Sequence, residues 1–582
     1  MERIFYDEEI YEGDQAGNCI DKKKKKMKEI EQVLIKAGIE KDLITLEVPP
    51  EITLGDFAFP VFPLAKKFKK NPVEIAKDLA KKIMLIPPLE KVVATGPYLN
   101  FFLDKTLQAK TTLQSITKLG KDYGSKKKND KKIILEYSAP NTNKPMHLGH
   151  VRNNLTGISV ARLLKAEGFD VMKVNWINDR GVHICKSMLA YIKFGNNKQP
   201  DKKSDHFVGD YYVLFSKKST EDLSFEKEAQ DLLRKWESGD KEVRKIWKTM
   251  NSWAYEGFKE TYTRLGCSFD KWYYESEIYL QGKELVETGL KKGIFFKDDE
   301  GMVVANLESH GIPNKVVLRS DGTSIYSTAD LILGVEKAKL HPYLSLYVVG
   351  NEQKLYLQQI FKIFELLGMD YGKKCVHVSY GYVSLPEGRM KSREGIVVDA
   401  DDLMDEMDAL ALQAINERYA DLDEKEKKRR ATAIGMAALK FHILKFDTLK
   451  DFTFDPKESI TFEGETGPYV QYTHARISSI LRKFEGTISD SFELMEKEEY
   501  LLLRFISSYP ETVSQAALSY RPYLICRYLL DLCQAFNEFY HKHPVLNAEI
   551  KVRDARLHLI AGVRQVIANG LTLLGIEALE KM

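Results

Sequence analysis

Cysteine is scarce in this 582-residue chain: six residues (Cys19, Cys185, Cys267, Cys375, Cys526 and Cys533), scattered and without a C-x-x-C pair. That spacing excludes a zinc ribbon and a disulfide framework and points to a reducing, cytoplasmic setting. Cys526 and Cys533 are expected on the buried stripe of one helix, where a thiol behaves as a small hydrophobe. No apolar run approaches the roughly 20 residues of a membrane span, and the first thirty residues lack a signal-peptide core, so no membrane partner is expected. An excess of one charge is missing too: 87 Lys and Arg stand against 84 Asp and Glu, a formal +3. The balance excludes a histone-like polycation but leaves room for local basic patches that meet RNA. Both standard phosphate-loop sequences, G-x-G-x-x-G after a strand and G-x-x-x-x-G-K-[ST], are absent. Phosphates, if bound, must be held by side chains as well as backbone.

What is present suffices for several cores: 44% hydrophobic and 11% aromatic residues over a length that suggests three or four domains. Residues 1–26 are polar, end in the run Lys22–Lys26, and read as a disordered leader. Residues 27–125 read as an α+β unit. It has an amphipathic helix from Lys28 to Ala37, a helix with Asn71 as N-cap and Pro72 at its first position, and a closing strand Tyr98–Leu103. A hinge rich in Gly, Ser and Lys (Gly120–Lys132) precedes residues 126–455. There, strand Ile133–Tyr137, helix Leu148–Glu167 and strand Val171–Ile177 form a right-handed βαβ unit and argue for a parallel sheet. Residues 195–310 are lysine-rich and helical, as an insertion; the sheet pattern is expected to resume at Val316–Leu318, Leu344–Val349 and Val376–Tyr380. Residues 456–582 read as an all-α helical bundle.

The most polar stretch follows the first strand of the βαβ unit: Glu136-Tyr-Ser-Ala-Pro-Asn-Thr-Asn-Lys-Pro-Met-His-Leu-Gly-His150. Ligands of an open parallel sheet bind beyond the carboxyl ends of its strands, where the next helix presents unpaired N–H groups and favours anions. His147 and His150, three apart, lie on one face of the first helical turn, and Gly149 leaves space for a flat purine against the backbone. Two histidines leave a zinc site short of ligands, so no metal site within the protein is expected. Taken alone, H-x-G-H is a helix cap with two incidental imidazoles.

In this position the tetrad resembles the HIGH signature of class I aminoacyl-tRNA synthetases. The longer string S-x-P-N-x-x-K-P-x-H-x-G-H resembles the arginyl-tRNA synthetases. Further similarities follow in order: Val174–Gly181, Asp321–Asp330, Tyr347–Gln353, a KMSKS-like loop at 389–393 within Gly388–Gly395, Phe462–Arg476 and Leu573–Met582. The resemblance runs from Met27 to Met582. It implies a Rossmann-type parallel-sheet catalytic domain, an N-terminal tRNA-binding domain and a C-terminal anticodon-binding bundle. The implied reaction joins L-arginine to tRNA(Arg) with ATP and Mg2+, in a monomer whose pyrophosphate exchange needs tRNA.

By the same resemblance Lys144, His147 and His150 stabilise the phosphates, and His147, Gly149, His150, Met390, Lys391, Ser392 and Arg393 bind ATP. Glu136 and Asp330 are expected to receive the guanidinium, whose planar fork suits carboxylates, with Tyr326 adding its phenol. Asn141 and Gln353 are expected at the α-ammonium, lined by Ser138, Ala139, Pro140 and His150. Tyr469, Tyr472 and Tyr540 are candidates for anticodon contact, with His474 and Arg476 on the same helix. The loop departs from the usual pattern, and either Lys391 or Arg393 takes the leaving pyrophosphate. Ala329 stands where the family carries arginine. Two other readings remain: a class I enzyme for another amino acid, which the paired acids oppose, and an inactive tRNA-binding relative.

Overall fold

Five short apolar runs form the central sheet of the computed structural model, which describes residues 20–320, 322, 325–386, 398–418 and 422–582. The strands are β1 (Lys132–Glu136), β2 (Asp170–Ile177), β3 (Lys271–Tyr274), β4 (Leu344–Gly350) and β5 (Cys375–Tyr380). They lie in the order β5-β4-β1-β2-β3, every neighbour parallel. Ile133, Ile134 and Leu135 of β1 are fully buried, as a strand covered by helices on both faces requires. The crossover from β1 to β2 is helix α1 (Leu148–Ala166), at the expected place. From β1 the chain steps outward through β2 to β3, then returns to the other side of β1 through β4 and β5. The order reverses between β1 and β4, and a crevice for ligands opens at such a reversal.

Two expectations fail here. Strand β3 lies inside the stretch read as a helical insertion, and it extends the central sheet. Its four residues, Lys-Trp-Tyr-Tyr, are too short to show a period. The strand Lys315–Leu318, expected in the parallel sheet, instead pairs antiparallel with Val303–Ala305, which pairs with Phe295–Lys297, in a separate small sheet. A three-residue apolar run carries no information about its partner, and the local hairpin neighbour wins. The rest of the insertion is helical (Ser204–Glu221, Ser224–Glu237, Lys241–Leu265) around its own core of Phe207, Trp236 and Trp253.

In the N-terminal unit, strand Tyr98–Leu103 sits between Phe57–Pro60 and Leu89–Thr95. Asn71 caps helix Pro72–Lys82, its Oδ1 accepting from the Val73 N–H at 2.9 Å, with Pro72 at the first position. The helix expected from Lys28 begins at Ile20, so the lysine run read as leader stands within its first turns. Residues 1–19 of that leader lie outside the described residues.

The C-terminal helices Gly467–Arg482, Lys497–Leu518, Tyr523–Lys542 and Ile550–Leu574 form the bundle, with Cys526 and Cys533 fully buried as expected. Helix Ile550–Leu574 is long and apolar enough to cross a membrane by length and composition. Here it fills the bundle instead, with Leu557, Ile560, Val563 and Ile567 inaccessible.

Candidate active site

His147 caps α1, and the cap fixes both imidazoles. The Gly149 N–H donates to His147 Nδ1 at 3.1 Å, and the His147 N–H donates to His150 Nδ1 at 3.2 Å. With each Nδ1 accepting, the neutral ring carries its proton on Nε2, free to donate outward. The rings lie 4.0 Å apart. Burial, then Lys144, holds His147 down to about 4; burial, then His147 and Lys144, holds His150 well below the usual imidazole range. Both are therefore neutral donors at physiological pH. Burial also lowers Lys144. At Gly149 a Cβ would stand 2.9 Å from the His147 ring, so the glycine also makes room for that imidazole.

Between β1 and this cap the backbone is strained. Ser138 and Ala139 adopt φ of 82° and 49°, values few residues other than glycine take. The Ser138 N–H donates to Asn153 Oδ1 (2.6 Å) and the Ala139 N–H to Asn175 Oδ1 (3.2 Å), while the buried Ser138 hydroxyl shares a hydrogen bond with Tyr262 (2.7 Å). These bonds hold the loop in its strained conformation. Pro140 is buried, its carbonyl accepting from the Asn178 N–H at 3.1 Å. The side chains of Asn141 and Gln353 are half-buried and hydrogen-bond to nothing among the described residues.

The acids meet across the reversal point. Glu136 ends β1; Asp330 sits one turn into the helix α2 (Tyr326–Ala338), which places the exposed Tyr326 on the same face. Asp330 accepts from the Tyr356 hydroxyl on the helix α3 (Lys354–Leu366). Burial pushes Asp330 up to about 6, with the Glu136 charge adding to the rise and Lys337 and Lys315 opposing it. Lys337, two turns further along the same helix, contacts Glu136 and so brings the two acid-bearing elements together.

Sequence reasoning missed a third acid, Glu275, directly after β3. One of its oxygens lies 3.4 Å from Arg180, and the other is buried without a partner. Burial, with Asp179 and Asp330 adding, pushes it up to about 7 against the Arg180 guanidinium. Nothing in Tyr-Tyr-Glu-Ser marks it; only the unrecognised strand before it could have.

Met390, Lys391, Ser392 and Arg393 lie outside the described residues. The chain that leaves their loop does return beside the tetrad. The Leu148 N–H donates to the Val398 carbonyl and the Ala400 N–H to the Met146 carbonyl, both at 3.0 Å. One residue further, Asp401 meets Lys203 (2.9 Å) and His206 (3.5 Å) of the helical insertion, so one short segment joins the tetrad to the insertion.

On the bundle, Tyr469 and Tyr472 share helix Gly467–Arg482, while Tyr540 lies on Tyr523–Lys542. Asn537 joins the two helices, donating to the Tyr469 hydroxyl (2.9 Å) and accepting from Arg476 (3.3 Å). The Arg476 guanidinium lies 4.7 Å over the Tyr472 ring. Tyr472 and Tyr540 are 36% and 40% exposed, so both rings have free surface. His474, counted with them from the sequence, is instead core: it is 2% exposed and bonded to the Leu579 carbonyl at 2.9 Å.

Comparison with known proteins extends these observations. Residues 112–456 match the family described as tRNA synthetases class I (R), catalytic domain. Residues 470–582 match the DALR anticodon binding domain, and residues 24–103 the arginyl tRNA synthetase N terminal domain. The arginine–tRNA ligase of Treponema denticola is 44% identical over 560 residues, covering 93% of this chain and 95% of the relative. That of Parabacteroides distasonis is 43% identical over 566 residues, covering 91% and 94%. The solved Thermus thermophilus arginyl-tRNA synthetase superposes with a TM-score of 0.80 at 26% identity, over 95% of this chain and 98% of that one. The chain belongs to the arginyl-tRNA synthetase family of class I.

Proposed function

We propose that this chain activates L-arginine with ATP and esterifies it to the 3′ end of tRNA(Arg). In the first step an oxygen of the substrate carboxylate bonds to the α-phosphorus, and the bond to pyrophosphate breaks. In the second a ribose hydroxyl of the terminal nucleotide attacks the adenylate's carbonyl and AMP leaves. Such chemistry needs positioning and charge stabilisation more than covalent help. His147 and His150 donate from Nε2, and Lys144 adds charge, to oxygens that become more negative during attack. A neutral imidazole donor stays a donor across the physiological range, so no proton need be gained first.

The observation that supports the choice of amino acid is the gathering of acids at the reversal point: Glu136 in contact with Lys337 of the helix that carries Asp330, and Glu275 with one buried oxygen left without a partner. Buried acids that crowd each other are a poor arrangement for an empty pocket and a good one for a bound cation. Asn141 and Gln353 hold the α-ammonium, and Tyr326 closes over the guanidinium. ATP arrives with Mg2+ on its phosphates. Among the described residues, the acidic cluster nearest the tetrad, Asp205–His206–Asp401, already holds the Lys203 ammonium at 2.8–2.9 Å. That cluster is therefore already occupied by a lysine, and Mg2+ would come with the nucleotide. The bundle of 456–582 reads the anticodon through Tyr469, Tyr472 and Tyr540, the unit of 27–125 meets the outer corner of the tRNA, and the enzyme works as a cytoplasmic monomer.

ATP–pyrophosphate exchange tests this reading, run with each amino acid, with and without tRNA. Exchange with arginine alone, dependent on tRNA, is the expected result. Exchange with another amino acid would transfer the site to that substrate; none under either condition would leave a tRNA-binding relative.

A further inference from the structure

Lys337 lies seven residues after Asp330 on α2 and is 0% exposed. A lysine is almost never fully buried unless paired. Its ammonium contacts Oε2 of Glu136 and sits 3.9 Å over the centroid of the Tyr347 ring on β4. Beneath it a hydrogen-bonded chain fixes that ring: Tyr347 donates to Tyr371, which donates to Ser345 Oγ, each at 2.8 Å. No feature of the sequence, and none of the roles assigned above, uses this lysine.

Its place decides which oxygens face the pocket. Lys337 takes Oε2 of Glu136, Tyr356 takes Oδ2 of Asp330, and Arg180 takes one oxygen of Glu275. Each acid keeps one oxygen outside these contacts. We propose that Lys337 is a positioning residue for arginine recognition: it anchors Glu136 by one oxygen and supplies a fixed positive charge behind the acids while the pocket is empty. This inference rests on the reading that Glu136 and Asp330 receive the guanidinium.

The groups around the ammonium leave little else to balance it. Glu136 comes from β1 and Tyr347 from β4; Tyr371 and Cys375 approach from the turn into β5. Asp330 lies on the lysine's own helix, with Tyr356 of α3 and Lys315 beside that acid. Burial keeps the Tyr347 and Tyr371 hydroxyls protonated and pushes the Cys375 thiol up to about 12. The anions are therefore Glu136 and, beyond it, Asp330. Removing the ammonium makes Asp330 easier to protonate, since Lys337 opposes the rise at that acid.

The test compares Lys337→Met, Glu136→Gln and the double variant in tRNA(Arg) charging, from about pH 6.5 to 9. K337M is expected to raise KM for arginine about 10- to 100-fold near pH 7 while KM for ATP stays put, the loss of one charged hydrogen bond's worth of binding. Raising the pH is expected to recover much of that loss, because Asp330 regains its charge; a purely structural defect has no such recovery. The double variant is expected to bind arginine about as weakly as E136Q alone, since the lysine acts through that acid. Lys337→Arg keeps the charge and is expected to stay within about fivefold of the parent. An unchanged KM for arginine in K337M, or additive effects without pH recovery, overturns the role of Lys337 and leaves the pocket standing. An unchanged KM in E136Q overturns the pocket and this inference with it. Should K337M fail to fold, the double variant, which has no unpaired charge, decides against E136Q: equal KM supports the inference and a further tenfold rise, or about that, rejects it.

Discussion

Replacing Asp330 with asparagine should weaken the enzyme and strengthen the fold, and the two effects come from one carboxylate. The folded, ligand-free protein holds the Asp330 proton up to about 6, against an ordinary 3.8, chiefly through burial. At 1.36 kcal/mol per decade of proton affinity, an ionised Asp330 works against folding by about 3 kcal/mol, and solvent screening at a partly accessible carboxylate reduces this to about 1–3. The native state binds this proton more tightly than the unfolded chain. The penalty is therefore present in full above about pH 6, and it vanishes below about pH 4, where both states are protonated. Asp330→Asn keeps the shape and an oxygen for the Tyr356 hydroxyl but removes the charge. The ligand-free variant should melt later than the parent at about pH 8, with the gain disappearing near pH 4. Arginine binding moves the other way. Removing one partner of a buried charged pair costs about 2–5 kcal/mol, or about 30- to 4,000-fold in kcat/KM for arginine. Melting curves at both pH values, paired with charging kinetics, read the two effects. A fall in kcat/KM smaller than about tenfold, or an earlier melt at about pH 8, would refute the assignment.

Further outcomes follow from the same geometry. His150→Ala should lower kcat for pyrophosphate exchange about 100- to 1,000-fold with little change in KM for arginine, the signature of a donor used in the transition state; a loss confined to KM argues against it. In the parent enzyme KM for arginine should rise as pH falls through about 6, where Asp330 takes its proton, while KM for ATP stays level. A flat arginine profile down to about pH 5 counts against a guanidinium at that acid. Glu275→Gln should raise KM for arginine about 10- to 100-fold; a purely structural Glu275 would instead lower stability and leave KM alone. Tyr472→Ala and Tyr540→Ala should each raise KM for tRNA about 5- to 150-fold and spare arginine, as lost base stacking would; titrating tRNA in the charging assay decides, and no change in either places the RNA elsewhere.

The parts of the site that could be read from the sequence share one property: their residues are close along the chain, and their meaning is local. His147, Gly149 and His150 form a cap within four residues, so spacing alone puts both imidazoles on one face. The Asn71–Pro72 helix start and the buried Cys526 and Cys533 were legible for the same reason. Glu136 and Asp330 are almost two hundred residues apart, and only the family pattern paired them. Glu275 and Lys337 had neither support. Glu275 depends on β3, a four-residue strand without a period; Lys337 sits on a helix where an isolated lysine reads as solvated surface. Both came to light through burial, because a charged group that water cannot reach must answer to another charge. Placed together, the four residues give an asymmetric arrangement: each acid is held through one oxygen by a cation or a phenol, and its other oxygen takes no part in that contact. A planar cation with five N–H groups can satisfy several such oxygens at once, whereas an ammonium with three converging donors leaves some of them desolvated and unpaired. On that argument discrimination against lysine arises as much from what the pocket withholds as from what it offers, and the fixed supports behind the acids are as necessary to it as the acids themselves.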